Sequence, residues 1–279
     1  MSETPSDQPT AEMPLPDAVL WDMDGTLVDT EPHWFAAEGR LMRAHGLPWT
    51  DEDSLALVGG DLEVSAAVMA AAGLPLGVRE TVDALCADVA EGVRRELSLR
   101  PGALELLVAL RRAGVPTALV TNSEAKVADV VVAKLTAIAA EGADPATAWS
   151  GPLFDVTVTG DIALPVKPDP APYLFAARRL AGLHAEGALP AQGGSDAQDG
   201  PAAQSTRETA QPELSISRMV AIEDSLTGLA AALAAGPLTL AVPNIVDLSA
   251  AGAHREAATL EGLTPERLGG WLLEAQAHP

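Results

Sequence analysis

The stretch "AVLWDMDGTLVDT", residues 18–30, decides how this chain is read. A short apolar run, Ala18 to Trp21, leads directly into Asp22 and Asp24, two acids separated by one residue. The run ends in Asp-Gly and turn chemistry, which predicts a buried strand rather than a helix. Two residues apart on a strand, both acids would project to the same side.

Working outward, the same pattern recurs. "VPTALVTNS", "FDVTVTGD", "MVAIEDS" and "LTLAVPN" are further apolar runs, most of them ending in small polar or acidic residues. Helical stretches separate them: "PGALELLVALRRAG", a segment near 124–140, "PAPYLFAARRLAGL", and "SLTGLAAALAAG" with Ser225 as N-cap and Gly236 as stop. Strands alternating with helices predict right-handed βαβ crossovers and a parallel sheet covered on both faces. Residues 33–100 have a helical pattern broken at Gly46-Leu47-Pro48, Gly59-Gly60 and Gly73 to Gly77.

The expected fold is therefore α/β, a Rossmann-like doubly wound parallel sheet with a small helical cap inserted after the first strand. Its parts are a disordered tail (1–16), a core (17–32 and 101–245), a cap (33–100) and a C-terminal helical extension (246–279). Residues 184–217, rich in Gly, Pro, Gln and Ser and without apolar period, read as a disordered insertion in the core.

Composition narrows the function. The 279-residue chain carries a net charge of −22, which argues against nucleic-acid binding. Hydrophobic residues make up 48% but aromatics only 3%, so Ala, Val and Leu must build the core. No apolar run approaches the roughly 18 residues of a membrane span, and the N-terminus lacks a basic start and apolar middle. The single Cys86, read as helix packing, excludes an internal disulfide. A cytoplasmic monomer is expected.

Ligands of open parallel sheets sit outside the carboxyl ends of the strands. The predicted strand ends supply Asp22 and Asp24, then Thr121-Asn122-Ser123, then a path through Thr159-Gly160-Asp161 towards Lys167, then Glu223-Asp224. If Asp224 joins Asp22 and Asp24, each like-charge pair at about 4 Å costs roughly 4 kcal/mol at an effective dielectric near 20. The sum rivals the stability of a typical domain, and a hard divalent cation on oxygen ligands, Mg²⁺, would offset it. A hydroxyl at a strand-to-helix turn and an ammonium are phosphate-binding groups. Asp22 could then attack phosphorus while Asp24 acts as acid and then base.

Each element has a blander reading. Asp24-Gly25 is a common turn pair, Thr121-Asn122-Ser123 a helix N-cap, Lys167 a solvated charge, and Glu223-Asp224 a pair of first-turn acids. Four such coincidences in order are what the blander account requires. An EF-hand reading of "DMDGTLVDTE" fails because Gly25 comes too early.

"DMDGT", "VTNS", "VKPDP" and "IEDS", in this order over residues 18–244, resemble the motifs of the haloacid dehalogenase superfamily. The resemblance implies Asp22 as nucleophile forming an aspartyl-phosphate, Asp24 as general acid/base, and Thr121, Asn122 and Lys167 around the phosphate. It implies Mg²⁺ held by Asp22, the Asp24 backbone carbonyl and Asp224, with Glu223 in or beside the coordination shell. The expected activity is a phosphatase for a small phosphorylated metabolite such as a sugar phosphate. The alternative is a β-phosphoglucomutase-like isomerase, whose usual residues are absent where Thr26, Trp34 and Leu62 stand. A phospho-acceptor or non-catalytic binding module is the alternative of another class. Asp29 and Thr30 read as turn and cap residues, Trp34 as hinge packing, and the cap loop "LVGGDLEVS", whose glycines let its backbone approach a ligand and whose charged members Asp61 and Glu63 are acidic, as the specificity element.

Overall fold

The computed structural model describes residues 14–189 and 213–277. Most of the tail expected at 1–16, and the bulk of the insertion expected at 184–217, lie outside the described residues. What is described at the insertion's edges is ordered: residues 184 and 185 finish a helix, and Ile216–Arg218 forms a 3₁₀ turn.

Six strands form one sheet: β1 (Val19–Trp21), β4 (Thr117–Val120), β5 (Val156–Val158), β6 (Val220–Glu223), β7 (Leu238–Ala241) and β8 (Arg255–Glu256). Their order is β5-β4-β1-β6-β7-β8 and every pairing is parallel. The sheet places the strand that leads into Asp22 between the one that leads into Thr121 and the one that ends at Glu223. Its residues alternate between two cores, as a strand covered on both faces must. Val19 and Trp21 pack into one hydrophobic cluster, and Ala18 and Leu20 into the other with Tyr173 and Ala176.

The connecting helices are α5 (Ala103–Arg112), α6 (Ala125–Glu141), α7 (Ala171–Ala185) and α8 (Leu226–Ala235). Helix α8 starts and stops as its sequence dictates. The Ser225 hydroxyl accepts from the Gly228 N–H, and Gly236 ends the helix in the left-handed conformation.

Between β2 (Val28–Asp29) and β3 (Ser98–Leu99) lie four helices, α1 (Glu31–Ala44), α2 (Asp51–Leu55), α3 (Leu62–Ala71) and α4 (Val78–Arg95). Their breaks fall at the three glycine-containing interruptions. The two short strands pair antiparallel and form the neck through which the helical unit leaves the core and returns. This ribbon differs from the expectation of helix up to residue 100, since two-residue strands are too short to show an alternating pattern.

The C-terminal segment also differs from a purely helical extension. Residues 246–279 contribute β8 to the edge of the sheet before α9 (Pro265–Ala277) packs against α5. Beyond that, no described helix is long and apolar enough to cross a membrane.

Candidate active site

β1 stops at Trp21, so Asp22 and Asp24 belong to the turn beyond it and strand alternation no longer governs them. The turn is tight: Gly25 has φ +82°, and a Cβ there would lie 1.9 Å from Asp224 Oδ2. Only glycine allows both that conformation and that approach. The Asp22 loop and the Asp224 loop are thereby pressed together.

The acids that converge are not quite those expected. Asp22, Glu223 and Asp224 each place a carboxylate oxygen within 4.8 Å of the others. The Asp24 carboxylate is turned elsewhere. Its Oδ1 accepts from the Thr30 hydroxyl and from Trp34 Nε1 at 3.4 Å. Its Oδ2 accepts from Thr121 Oγ1 at 3.2 Å and Ser123 Oγ at 2.7 Å. Four donors hold it, and Glu223 takes its place in the trio.

Lys167 lies in the middle of the cluster, 3% exposed. Its Nζ stands 2.6 Å from both Asp22 Oδ1 and Glu223 Oε1. The expectation that a bound cation alone relieves the crowded acids is therefore corrected, because the chain supplies one cation itself. Three carboxylates against one ammonium still leave an excess of two negative charges. The excess shows in the titration. Asp22 is pushed up to about 7, by burial first and the Glu223 charge second, against the pull of Lys167. Asp224 is raised well above the usual carboxylate range, by burial first and then by Asp22 and Glu223. Lys167 itself is held above its ordinary value by the two acids, although burial opposes this.

Glu223 is fully buried and saturated with donors. Oε1 accepts from Lys167 and from the Tyr173 hydroxyl at 2.8 Å, while Oε2 accepts from Asp224 N, Ser225 N and Ser225 Oγ. It behaves as the hub that fixes the lysine. Helix α8 makes room for it at Gly228, where a Cβ would lie 1.8 Å from Glu223 Oε1. Tyr173, the only tyrosine in the chain, was legible in sequence only as an apolar residue of α7.

Asn122 also has a different task from the one expected of its side chain. Its Nδ2 donates to the Lys167 carbonyl at 3.2 Å, and its Oδ1 accepts from Lys167 N at 3.0 Å. The amide clamps the backbone of the lysine loop. Thr121 has its hydroxyl on Asp24 and accepts from Ser123 N at 3.0 Å. Thr30, expected only as a cap, precedes α1 without capping it and spends its hydroxyl on Asp24.

The helical unit closes over this end of the sheet. The Thr227 hydroxyl donates to the Gly59 carbonyl, and Arg79 of α4 meets Glu124 with both guanidinium nitrogens at 2.5 and 2.8 Å. The pocket so enclosed is lined on the core side by Asp22, Asp24, Thr121, Lys167 and Asp224. On the helical side it is lined by Glu31, Trp34, Phe35, Glu38 and the 57–60 loop. Asp61 and Glu63 do not line it: Asp61 caps α3 by accepting from Glu63 N. Glu31 and Glu38 are the acids that do. Burial above all raises Glu31 to about 8, with the Asp24 charge next. Glu38 is also raised by burial, against hydrogen bonds from Ser54 and Trp49. Cys86 is buried, and burial pushes its thiol up to about 12, far from a reactive thiolate.

A parallel α/β core with a helical cap and a buried Asp–Lys–acid cluster at its strand ends defines a class of hydrolases, and the comparisons agree. The family model for haloacid dehalogenase-like hydrolases matches residues 16–236, and the chain belongs to that family. Among its relatives is N-acetylmuramic acid 6-phosphate phosphatase of Pseudomonas aeruginosa, 35% identical over 58% of this chain and 67% of the relative. Another is a phosphorylated carbohydrates phosphatase of Thermotoga maritima, 30% identical over 59% and 70% of the two chains. The crystal structure of β-phosphoglucomutase from Clostridium difficile superposes with a TM-score of 0.66 over 95% of this chain and all of that one. At 15% identity that likeness concerns the fold.

Proposed function

We propose that this protein is a Mg²⁺-dependent phosphatase that hydrolyses a small phosphorylated metabolite, a sugar phosphate, through an aspartyl-phosphate. The observation that carries the reading is the cluster of Asp22, Lys167, Glu223 and Asp224 at the strand ends of a family member. The residues fit a hard divalent ion. Two excess negative charges sit on oxygen ligands, and the glycine at position 25 keeps the space beside Asp224 clear. Asp22 and Asp224 would hold the ion, with the Asp24 carbonyl as a further ligand, and Glu223 behind them, its oxygens already committed. When bound, Mg²⁺ supplies charge that offsets the negative build-up on the transferring phosphoryl group.

Asp22 is the nucleophile. Lys167 occupies Oδ1, and no described residue donates to Oδ2. An Asp22 oxygen bonds to phosphorus as the ester bond breaks. Asp24 passes a proton to the departing alcohol oxygen, then takes one from the water that cleaves the acyl phosphate and frees Asp22. Asp24 and Thr121 change partners together in this scheme. A hydroxyl donating to Asp24 cannot donate to phosphate at the same moment. Rotation of Asp24 towards the leaving group therefore frees Thr121 for the phosphoryl oxygens.

The sugar-phosphate class finds support in the named substrates of the two phosphatase relatives. The lone, buried cysteine is compatible with a reducing cytoplasm as the working compartment. The test is phosphate release from a panel of sugar and polyol phosphates, with and without magnesium, by the wild type and Asp22→Asn. Release should need magnesium and fall by at least about a thousandfold in the variant. Undiminished turnover by Asp22→Asn would rule out the aspartyl-phosphate. Glucose 1-phosphate converted to the 6-phosphate without net phosphate release would replace the phosphatase with the mutase.

A further inference from the structure

On the helical side of the pocket lies a carboxyl that the scheme above does not use. Glu31 opens α1, is 8% exposed, and lines the pocket. Among the described residues it has no hydrogen-bond donor and no cation within ion-pair distance, in contrast to every acid of the catalytic cluster. A carboxyl buried to this degree ordinarily has a partner, so its free oxygens call for one from outside the chain.

Its neighbours on α1 sharpen the point. Positions 31, 34, 35 and 38 recur at the spacing of one helix face, and all four line the pocket. The face thus offers two acids with two aromatic rings between them. The rings suit the C–H face of a sugar or polyol, and an acceptor such as Glu31 suits its hydroxyls. The only cation lining the pocket among the described residues is Lys167, already committed to Asp22 and Glu223. A second phosphate or a carboxylate on the substrate would meet buried acids and no positive partner.

We propose that Glu31 is a specificity-determining residue: it accepts a hydrogen bond from a hydroxyl of the leaving alcohol. Together with Glu38 it restricts the site to monophosphates whose remaining part is a neutral polyol. The inference rests on the phosphatase reading and deepens it. It also sets this pocket apart from one built for a bisphosphate or a phosphorylated acid.

The experiment measures kcat/KM with magnesium at pH 9, where Glu31 is ionised, for glucose 6-phosphate, 6-phosphogluconate, glucose 1,6-bisphosphate and phenyl phosphate, in the wild type, Glu31→Gln and Glu31→Ala. The wild type should favour glucose 6-phosphate over both doubly anionic esters by at least tenfold. Glu31→Gln, which keeps the shape, should narrow that ratio severalfold. Glu31→Ala should cost glucose 6-phosphate at least tenfold more than it costs phenyl phosphate, whose leaving group has no hydroxyl to read in the ester. Equal or better turnover of the doubly anionic esters overturns the proposal. So does an equal loss on glucose 6-phosphate and phenyl phosphate in Glu31→Ala, the mark of a merely structural role. Phosphate release from none of the four esters would instead defeat the phosphatase reading and take this inference with it.

Discussion

On the core wall of the pocket Asp22 and Lys167, with Glu223 and Tyr173 buried behind them, occupy one another, and Glu223 alone accepts five hydrogen bonds. Across from them, Glu31 has no donor and Glu38 shares two neutral ones with Ser54 and Trp49. On the proposed reading, the groups assigned to phosphorus are locked by mutual contacts. Those assigned to the variable part of a substrate keep their hydrogen-bonding capacity free for it. The price of the first arrangement is intolerance to change, while burial raises carboxyl pKa values on both walls.

The sharpest way to break the contrast is Lys167→Met. It leaves Asp22 and Glu223 facing each other without their cation, at an expected cost of about 3–5 kcal/mol of stability. Activity should fall by two orders of magnitude or more, and denaturant melts with and without magnesium would show whether the metal recovers part of the loss. Next comes Gly228→Ala. The new methyl would occupy the place of Glu223 Oε1, and overpacking of this kind costs about 1–3 kcal/mol. A fall in kcat without a matching change in KM would show that Glu223 acts by positioning Lys167.

Glu31→Gln probes the opposite wall through pH. The folded protein holds this acid at about 8 against an ordinary 4.5, so between those values the native state binds more protons than the unfolded chain. Stability must then decline as pH rises through that window. In metal-free protein the variant should flatten the decline, gaining about 3 kcal/mol at pH 8 relative to pH 5, several degrees in Tm. An unchanged slope would show that Glu31 is not the group responsible. Arg79→Ala should have the smallest effect. Its guanidinium is 54% exposed, so the pair with Glu124 contributes about 1 kcal/mol or less. KM should change by less than about threefold, and the difference should shrink in high salt.

The two walls were unequally legible in the sequence. The core wall was visible because a parallel sheet gathers whatever follows its strands at one edge, so Asp22, Thr121, Lys167 and Asp224 could be expected together before any contact was known. Their detailed partners were not visible. The turn of Asp24 onto Thr30 and Thr121, and the service of Tyr173 to Glu223, depend on side-chain directions across elements far apart in the chain. The cap wall was half legible, since the loop of "LVGGDLEVS" lines the pocket through residues 57–60 and Leu62 but not through its acids. Asp61 and Glu63 sit in a glycine-rich loop and look like ligand contacts, yet Asp61 is an N-cap and neither lines the pocket. Glu31, beside Pro32, carries no local signal beyond that of a first-turn acid. The neck strands β2 and β3 and the edge strand β8 are two residues each, too brief for any periodicity to register.

Helix α7 starts just after Lys167 and runs back to the opposite rim of the sheet, where β6 begins. The end of α7 and the start of β6 therefore lie at the strand ends opposite to the acids and the lysine. A fluorophore or affinity tag joined at either of those ends would be attached away from the catalytic rim.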